Sequence, residues 1–294
     1  MDTHPPFTLQ HLRILLAVAS QGSVTRAAES LALTQPAVSQ GLKELERRLG
    51  VTLLERGAFE LTDAGRAFLP AARDVLEAAE RAVEAAASPT VAGSLTLAAS
   101  TTIGNYLLPT RLGDFASRYP AVELQLLVGN TSDVCDRVAK REVDVGFIEG
   151  RCTRPELDAT TFATDELVLV SAVGGPLSGE GPIAASALEG VPFILREAGS
   201  GTREVIVDAL HAAGARLSCS LCLGNTEAIK TAVAAGLGVS IVSRLAIGRE
   251  LTAGVLCARP VQGVSLVRPL YRVERRGSPR RAVVASLLAC LGER

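Results

Sequence analysis

Gln35, Pro36, Ser39 and Gln40 stand at the start of a helical-periodic segment, at positions that its apolar stripe leaves free. Short, uncharged groups that donate and accept hydrogen bonds suit base edges in a DNA major groove, where each base pair shows its own donor and acceptor pattern. A second chemistry recurs four times further along. The strings ASTTIGN (99–105), GNTSD (129–133), REAGSGTRE (196–204) and GNTEA (224–228) place Ser, Thr or Asn where a strand should give way to a helix. Helix N-termini carry unpaired backbone N–H groups and a partial positive charge, so they attract anions. The expected lining is Ser100, Thr101, Thr102, Asn130, Thr131, Gly201, Thr202, Asn225 and Thr226. Within the caps themselves the one base is Arg203, so hydroxyls, amides and N–H groups are expected to dominate over fixed charge.

The elements that must hold these residues follow from periodicity. Val24, Ala27, Ala28 and Leu31 recur at helical spacing, as do Val38, Leu42, Leu45 and Leu49, which predicts two short amphipathic helices joined by a tight turn. Thr34 suits the N-cap of the second, and Pro36 fits its first turn, where a missing N–H leaves nothing unpaired. The paired alanines let two helices cross closely. Thr62 is a plausible cap for a long helix from Asp63 to about Ala87. Its apolar residues Ala64, Phe68, Ala72, Val75, Ala79, Val83 and Ala86 form a seam that suits pairing with a second helix, the alternative being packing on its own domain. Ser88, Pro89 and Gly93 end it. Thereafter strand and helix patterns alternate, in two runs beginning near Ser94 and Glu166, which predicts a mostly parallel sheet covered on both faces. Crossovers are expected near 163–167 and 259–267, with the last strand and helix returning to the first lobe.

The stretch from FTLQHLRILLAVA through the paired alanines, TQPAVSQGLKELERRLGV, LLER and LTDAG resembles the LysR-type transcriptional regulators of bacteria, and the resemblance continues through most of the chain. It implies an N-terminal all-α winged helix-turn-helix with a long linker helix, followed by a two-lobed α/β domain of the type II periplasmic-binding-protein kind. The implied borders are 1–62 for the DNA-binding head, 63–92 for the dimerising linker helix and 93–294 for the effector domain. Within that domain, lobe I would take 93–165 and 267–294, and lobe II 166–266. Double-stranded DNA is the implied partner: Gln35, Pro36, Ser39 and Gln40 would contact bases, Thr34, Lys43 and Arg56 would approach phosphates, and Ser23 would join the DNA-facing set. Homodimers assembling to a homotetramer are implied, and RNA polymerase is left open as a further partner. Only four residues separate Arg56 from Leu61, so the wing is short and its phosphate contacts are in doubt. TTIGNYLLP and the two GNT strings are similar to the branch that governs carbon fixation and sulfur assimilation, which suggests a small anionic metabolite as effector.

Composition sets the outer limits. The chain has 294 residues, 48% of them hydrophobic, enough for two or three modules with their own cores. No apolar run approaches a membrane span and no secretory signal is legible at the start, so a cytoplasmic protein with six reduced cysteines is expected. Net charge is −1 overall, and residues 1–60 hold six Lys or Arg against six Asp or Glu. Counterion release supplies most non-specific DNA affinity, so one such head should bind weakly and several held together should bind well. Cys219 and Cys222 form a C-x-x-C, but on a strand their thiols should point to opposite faces, with no second pair to complete a zinc set. No constellation of residues supports catalysis, a cofactor or a metal. A second reading stays open: an intracellular small-molecule-binding or enzymatic α/β protein whose N-terminal helices serve only to oligomerise.

Overall fold

The computed structural model describes residues 7–55, 59–86, 91–215 and 217–292, and divides into two compact units, 1–90 and 91–294. The first unit is helical: α1 (Leu9–Gln21), α2 (Val24–Ser30), α3 (Gln35–Leu49) and α4 (Asp63–Ala86). Each short helix starts on a hydroxyl. Thr8, Ser23 and Thr34 accept from the N–H groups of His11, Arg26 and Ala37. Gly22 and Gly50 then end α1 and α3 in the left-handed conformation, which costs glycine no Cβ clash. Leu12, Leu15, Val18, Ala27, Val38, Leu45 and Leu53 are buried between the helices. The two alanines do lie in the contact, and Gly41 adds to them: a Cβ there would stand 2.5 Å from Ile14 Cδ1, so a larger residue would require the Ile14 side chain to move.

After α3, among the described residues, an antiparallel bridge joins Leu54 to Leu61, with Glu55 N–H donating to Glu60 O. Arg56, named above as a phosphate contact, lies outside the described residues. Thr62 caps α4 as expected, its hydroxyl accepting from Gly65 N–H at 3.0 Å. The seam reading needs correction in its first half. Ala72 is buried in the unit's own core, and Phe68 packs edge-on against Phe7 at 5.9 Å. Those positions are occupied by the head itself, whereas Val75 and Val83 remain 40% and 70% exposed.

The second unit holds β1 (Gly93–Ser100), α5 (Leu108–Arg118), β2 (Val122–Gly129), α6 (Thr131–Ala139), β3 (Val145–Ile148), β4 (Leu157–Ala172), β5 (Ile183–Ala184) and β6 (Pro192–Arg196). It continues with α7 (Gly201–Ala212), β7 (Ser218–Leu223), α8 (Thr226–Ala234), β8 (Ser240–Ser243), α9 (Gly248–Thr252), β9 (Leu256–Arg259), β10 (Val261–Gln262), β11 (Val267–Arg275) and α10 (Ala282–Cys290). The main sheet runs β2-β1-β3-β11-β4-β8, with β9 also on β4. β1 pairs in parallel with β2 and β3, but every contact of β4 and β11 is antiparallel. The sheet is therefore mixed, and the expectation of a mostly parallel one is corrected. The reason lies in two long strands. β4 spans 16 residues, its first half on β11 and its second half on β8 and β9, so the crossover at 163–167 is the middle of one continuous strand, while that at 259–267 runs from the end of β9 through β10 to the start of β11.

Two sets of core residues fill the two lobes. Leu95, Leu97, Phe115, Phe147, Leu270 and Leu287 belong to the first, and Leu167, Phe193, Leu210 and Ile241 to the second. β7 pairs with β6 in parallel with Ser220 unpaired, so strict alternation is interrupted between Cys219 and Cys222, and both are exposed. No helix among the described residues is long and apolar enough to cross a membrane.

Candidate functional site

In the first unit, Thr34, Gln35, Pro36, Gln40 and Lys43 are exposed along the start of α3, while Ser39 and Ser23 are half-buried. The bases later in the helix are paired. Glu44 accepts from Arg47 at 2.7 and 2.8 Å and from Arg48 at 2.5 Å, and these bonds hold its carboxyl down at about 2. α3 thus presents neutral hydrogen-bonders first and internally balanced charge behind them, a face fit to read groups rather than to attract polyanions at range.

In the second unit two of the four expected junctions meet on a group that sequence reasoning missed. Glu149, immediately after β3 and 2% exposed, accepts on Oε1 from the N–H groups of Thr102 (2.6 Å) and Ile103 (3.1 Å). These are the opening amides of the helix that follows β1. Its first stretch, Ile103–Leu107, is a π-helical turn running directly into α5, the kind of wide turn that frequently marks a functional site. On its other oxygen Glu149 accepts from the Thr202 hydroxyl at 2.8 Å, across from the second lobe. Arg268 Nη1 lies 3.4 Å from the same oxygen and 2.8 Å from Thr202 Oγ1, while its Nε and Nη2 bond Asp165 at 2.9 and 2.6 Å. Burial alone would raise the Glu149 carboxyl. The Arg268 guanidinium and the Thr202 and Ile103 donors outweigh it and hold the group below the ordinary carboxylate value.

Around this centre the other residues divide. Arg196 Nη2 donates to Thr101 Oγ1 at 3.1 Å, and Gly201 N–H to Thr131 Oγ1 at 3.3 Å, both between the lobes. Gly150 and Gly201 meet so closely that a Cβ on either would stand 2.5 Å from the other's Cα, which explains glycine at both. Ser100 Oγ is shut off from water and faces Glu149, where it helps to hold the carboxyl down. Asn130 and Asn225 cap their own helices, accepting from Asp133 and Ala228 N–H, so their carbonyl oxygens are already engaged. Thr226 is buried, and one residue on, Glu227 accepts from the Tyr106 hydroxyl at 2.5 Å, joining the fourth junction to the π-helical turn. Lys230 stands 5.5 Å from the Tyr106 ring centroid and pairs with Glu227 and Glu250.

The expectation of a cleft with few fixed charges is therefore corrected. Its centre is a buried Glu149–Arg268–Asp165 triad, supplemented by Arg196. Two signals were legible. Glu149 ends the apolar run VDVGFIEG, and Arg268 falls in phase with the inward Leu270 of β11. Neither signal names a partner, because the pairs span 119 and 103 residues.

A model of the LysR substrate binding domain matches residues 89–294, and one of the bacterial regulatory helix-turn-helix protein, lysR family, matches residues 9–66. The chain is 40% identical over 271 residues to the uncharacterized HTH-type transcriptional regulator YeiE of Escherichia coli K12, covering 92% of each. It is 38% identical to a probable RuBisCO transcriptional regulator of Trichormus variabilis, covering 91% of this chain and 82% of that one. Among solved structures, the CcmR regulatory domain of Synechocystis PCC6803 in complex with 2-PG matches at 30% identity and a TM-score of 0.64, over 68% of this chain and 95% of that one. The helix-turn-helix head, the two-lobed α/β domain and these matches together make the chain a LysR-type transcriptional regulator.

Proposed function

We propose that this regulator reads double-stranded DNA through α3 and senses a small anion in the cleft around Glu149. The observation that carries the effector reading is the Glu149 carboxylate itself. Its two oxygens accept from the Thr102 and Ile103 amides, the Thr202 hydroxyl and Arg268, and a donor set of that kind between the lobes supports an anion site there. An anion from solution would take those donors, and the Ser100 hydroxyl that also faces Glu149, in place of the carboxylate or share them beside it. The 2-PG held by the CcmR domain, a compact phosphorylated carboxylate, is of the same chemical class.

The cytoplasm is the compartment this reading requires, and the protein acts by binding rather than by catalysis. The working division is a DNA-binding head at 1–62, a linker helix at 63–92 and an effector domain at 93–294 whose second lobe is 166–266. Two heads must act together, because one near-neutral head gains little from counterion release. Dimers pairing into tetramers supply this, and effector binding would alter the pairing. The test is a mobility shift on the DNA upstream of the protein's own gene, against excess random competitor. A retarded complex that survives competitor supports the reading. Equal loss to specific and random DNA would leave the α/β unit as the functional part and favour the oligomerising alternative.

A further inference from the structure

Among the described residues, two thiols outside the anion cradle stand within 4 Å of each other. Cys135, in the second turn of α6, is buried, and its Sγ lies 3.8 Å from that of Cys152, which is partly exposed in the segment after β3. The Cys135 thiol donates toward the Cys152 sulfur, and Cys152 is the more accessible of the two. Both lie in the apolar cluster formed by Val134, Val138, Ile148 and Val273. A disulfide needs a sulfur separation of about 2.05 Å, which a small side-chain rotation and a modest approach of the two segments would reach.

We infer that Cys135 and Cys152 form a dithiol that a hydroperoxide oxidises reversibly to a disulfide. The Cys152 thiolate attacks the terminal peroxide oxygen. The O–O bond breaks, an S–O bond forms, and the alcohol or water leaves with a proton from solvent. Cys135 then gives up its proton and attacks the sulfenic sulfur; the S–O bond breaks and hydroxide departs with that proton as water. Two thiols are oxidised by two electrons and one peroxide is reduced. Burial, reinforced by the neighbouring Cys152 charge, pushes the Cys135 thiol up to about 12. The second of these causes vanishes once Cys152 is a neutral sulfenic acid, so the resolving thiol becomes easier to ionise when it is needed.

The position gives the bond a consequence. Cys152 lies three residues after Glu149, and Cys135 lies on the helix whose first residue, Thr131, accepts the Gly201 N–H from the other lobe. The disulfide would pin that helix to the strand end that carries the cradle's carboxylate. Reduced thiols are the default in a cytosol, and the disulfides that occur there are usually transient and sensing ones.

The experiment treats the full chain with one equivalent of hydrogen peroxide, blocks remaining thiols by alkylation and maps peptides by mass. The expected result is a fall in titratable thiols from six to four and a cross-linked peptide pair holding Cys135 and Cys152, both reversed by dithiothreitol. The oxidised form should also melt higher than the reduced one. Cys135→Ser should leave a dimedone-reactive sulfenic acid on Cys152. Should that buried substitution fail to fold, Cys152→Ser, at a partly exposed site, should abolish the cross-link while leaving the circular dichroism unchanged. Separate alkylation of Cys135 and Cys152 after peroxide, or cross-links confined to Cys219 and Cys222, would overturn the proposal.

Discussion

A carboxylate that accepts from two backbone N–H groups, a hydroxyl and a guanidinium is kept charged by its partners, so its removal has separable effects on stability and on binding. Glu149→Gln keeps an oxygen for the Thr102 and Ile103 amides but turns an NH2 group toward Arg268. Replacing one charged acceptor in a buried network costs about 1–3 kcal/mol. The sign of the pH dependence follows from the lowered Glu149 value. Its contribution is fully present above the unfolded carboxylate pKa of about 4.3 and is lost as pH falls through the folded value. Urea melts should therefore show the wild type more stable than Glu149→Gln at pH 7, with the difference shrinking below about pH 4.3; a gap that widened in acid would contradict the assignment. The DNA face is tested by Gln35→Ala and Ser39→Ala, each expected to lose about 1–3 kcal/mol of discrimination between the correct site and a mismatched one. Lys43→Ala should instead weaken all sequences alike and flatten the salt slope. At this scale the hydroxyl and amide lining was legible, because cap residues announce themselves locally. Glu149, Arg268 and Asp165 were not, because a buried ion pair is defined by contacts over more than a hundred residues of chain.

Among the elements, α4 has two sections in different surroundings. Its start is fixed to its own head through Phe68 and Ala72, and its later positions Val75 and Val83 are exposed. Sequence periodicity could not separate the two, since a seam of threes and fours looks the same whichever partner fills it. Val75→Glu with Val83→Glu should lower the assembly state by sedimentation and weaken DNA binding through lost multivalency, with the melting of the lobes unchanged. Phe68→Glu should instead destabilise the head itself. Equal effects from both sets would show that α4 packs only within its own unit. The helix-turn-helix was readable almost residue by residue, because caps, glycine stops and small contact residues are all local signals. The mixed sheet was not. Alternating strand and helix patterns suggested parallel pairing, and only the register shows β4 and β11 antiparallel to each other, with β4 alone continuing onto β8 and β9.

In the whole molecule, a near-neutral helix-turn-helix head precedes an α/β domain whose donors in the inter-lobe cleft are already engaged by the Glu149 carboxylate. The central claim is that this cleft is built for an anion. A melting-temperature screen of the full chain tests it most directly, with 2-phosphoglycolate, inorganic phosphate and sulfite set against neutral, cationic and apolar aromatic compounds, each repeated on Thr202→Val. Binding to the native state alone raises the melting temperature by mass action. The account predicts upward shifts from one or more of the oxyanions that are absent in Thr202→Val, and none from the cations or aromatics. Shifts from cations or apolar aromatics alone, or an oxyanion shift that persisted unchanged without the Thr202 hydroxyl, would contradict it.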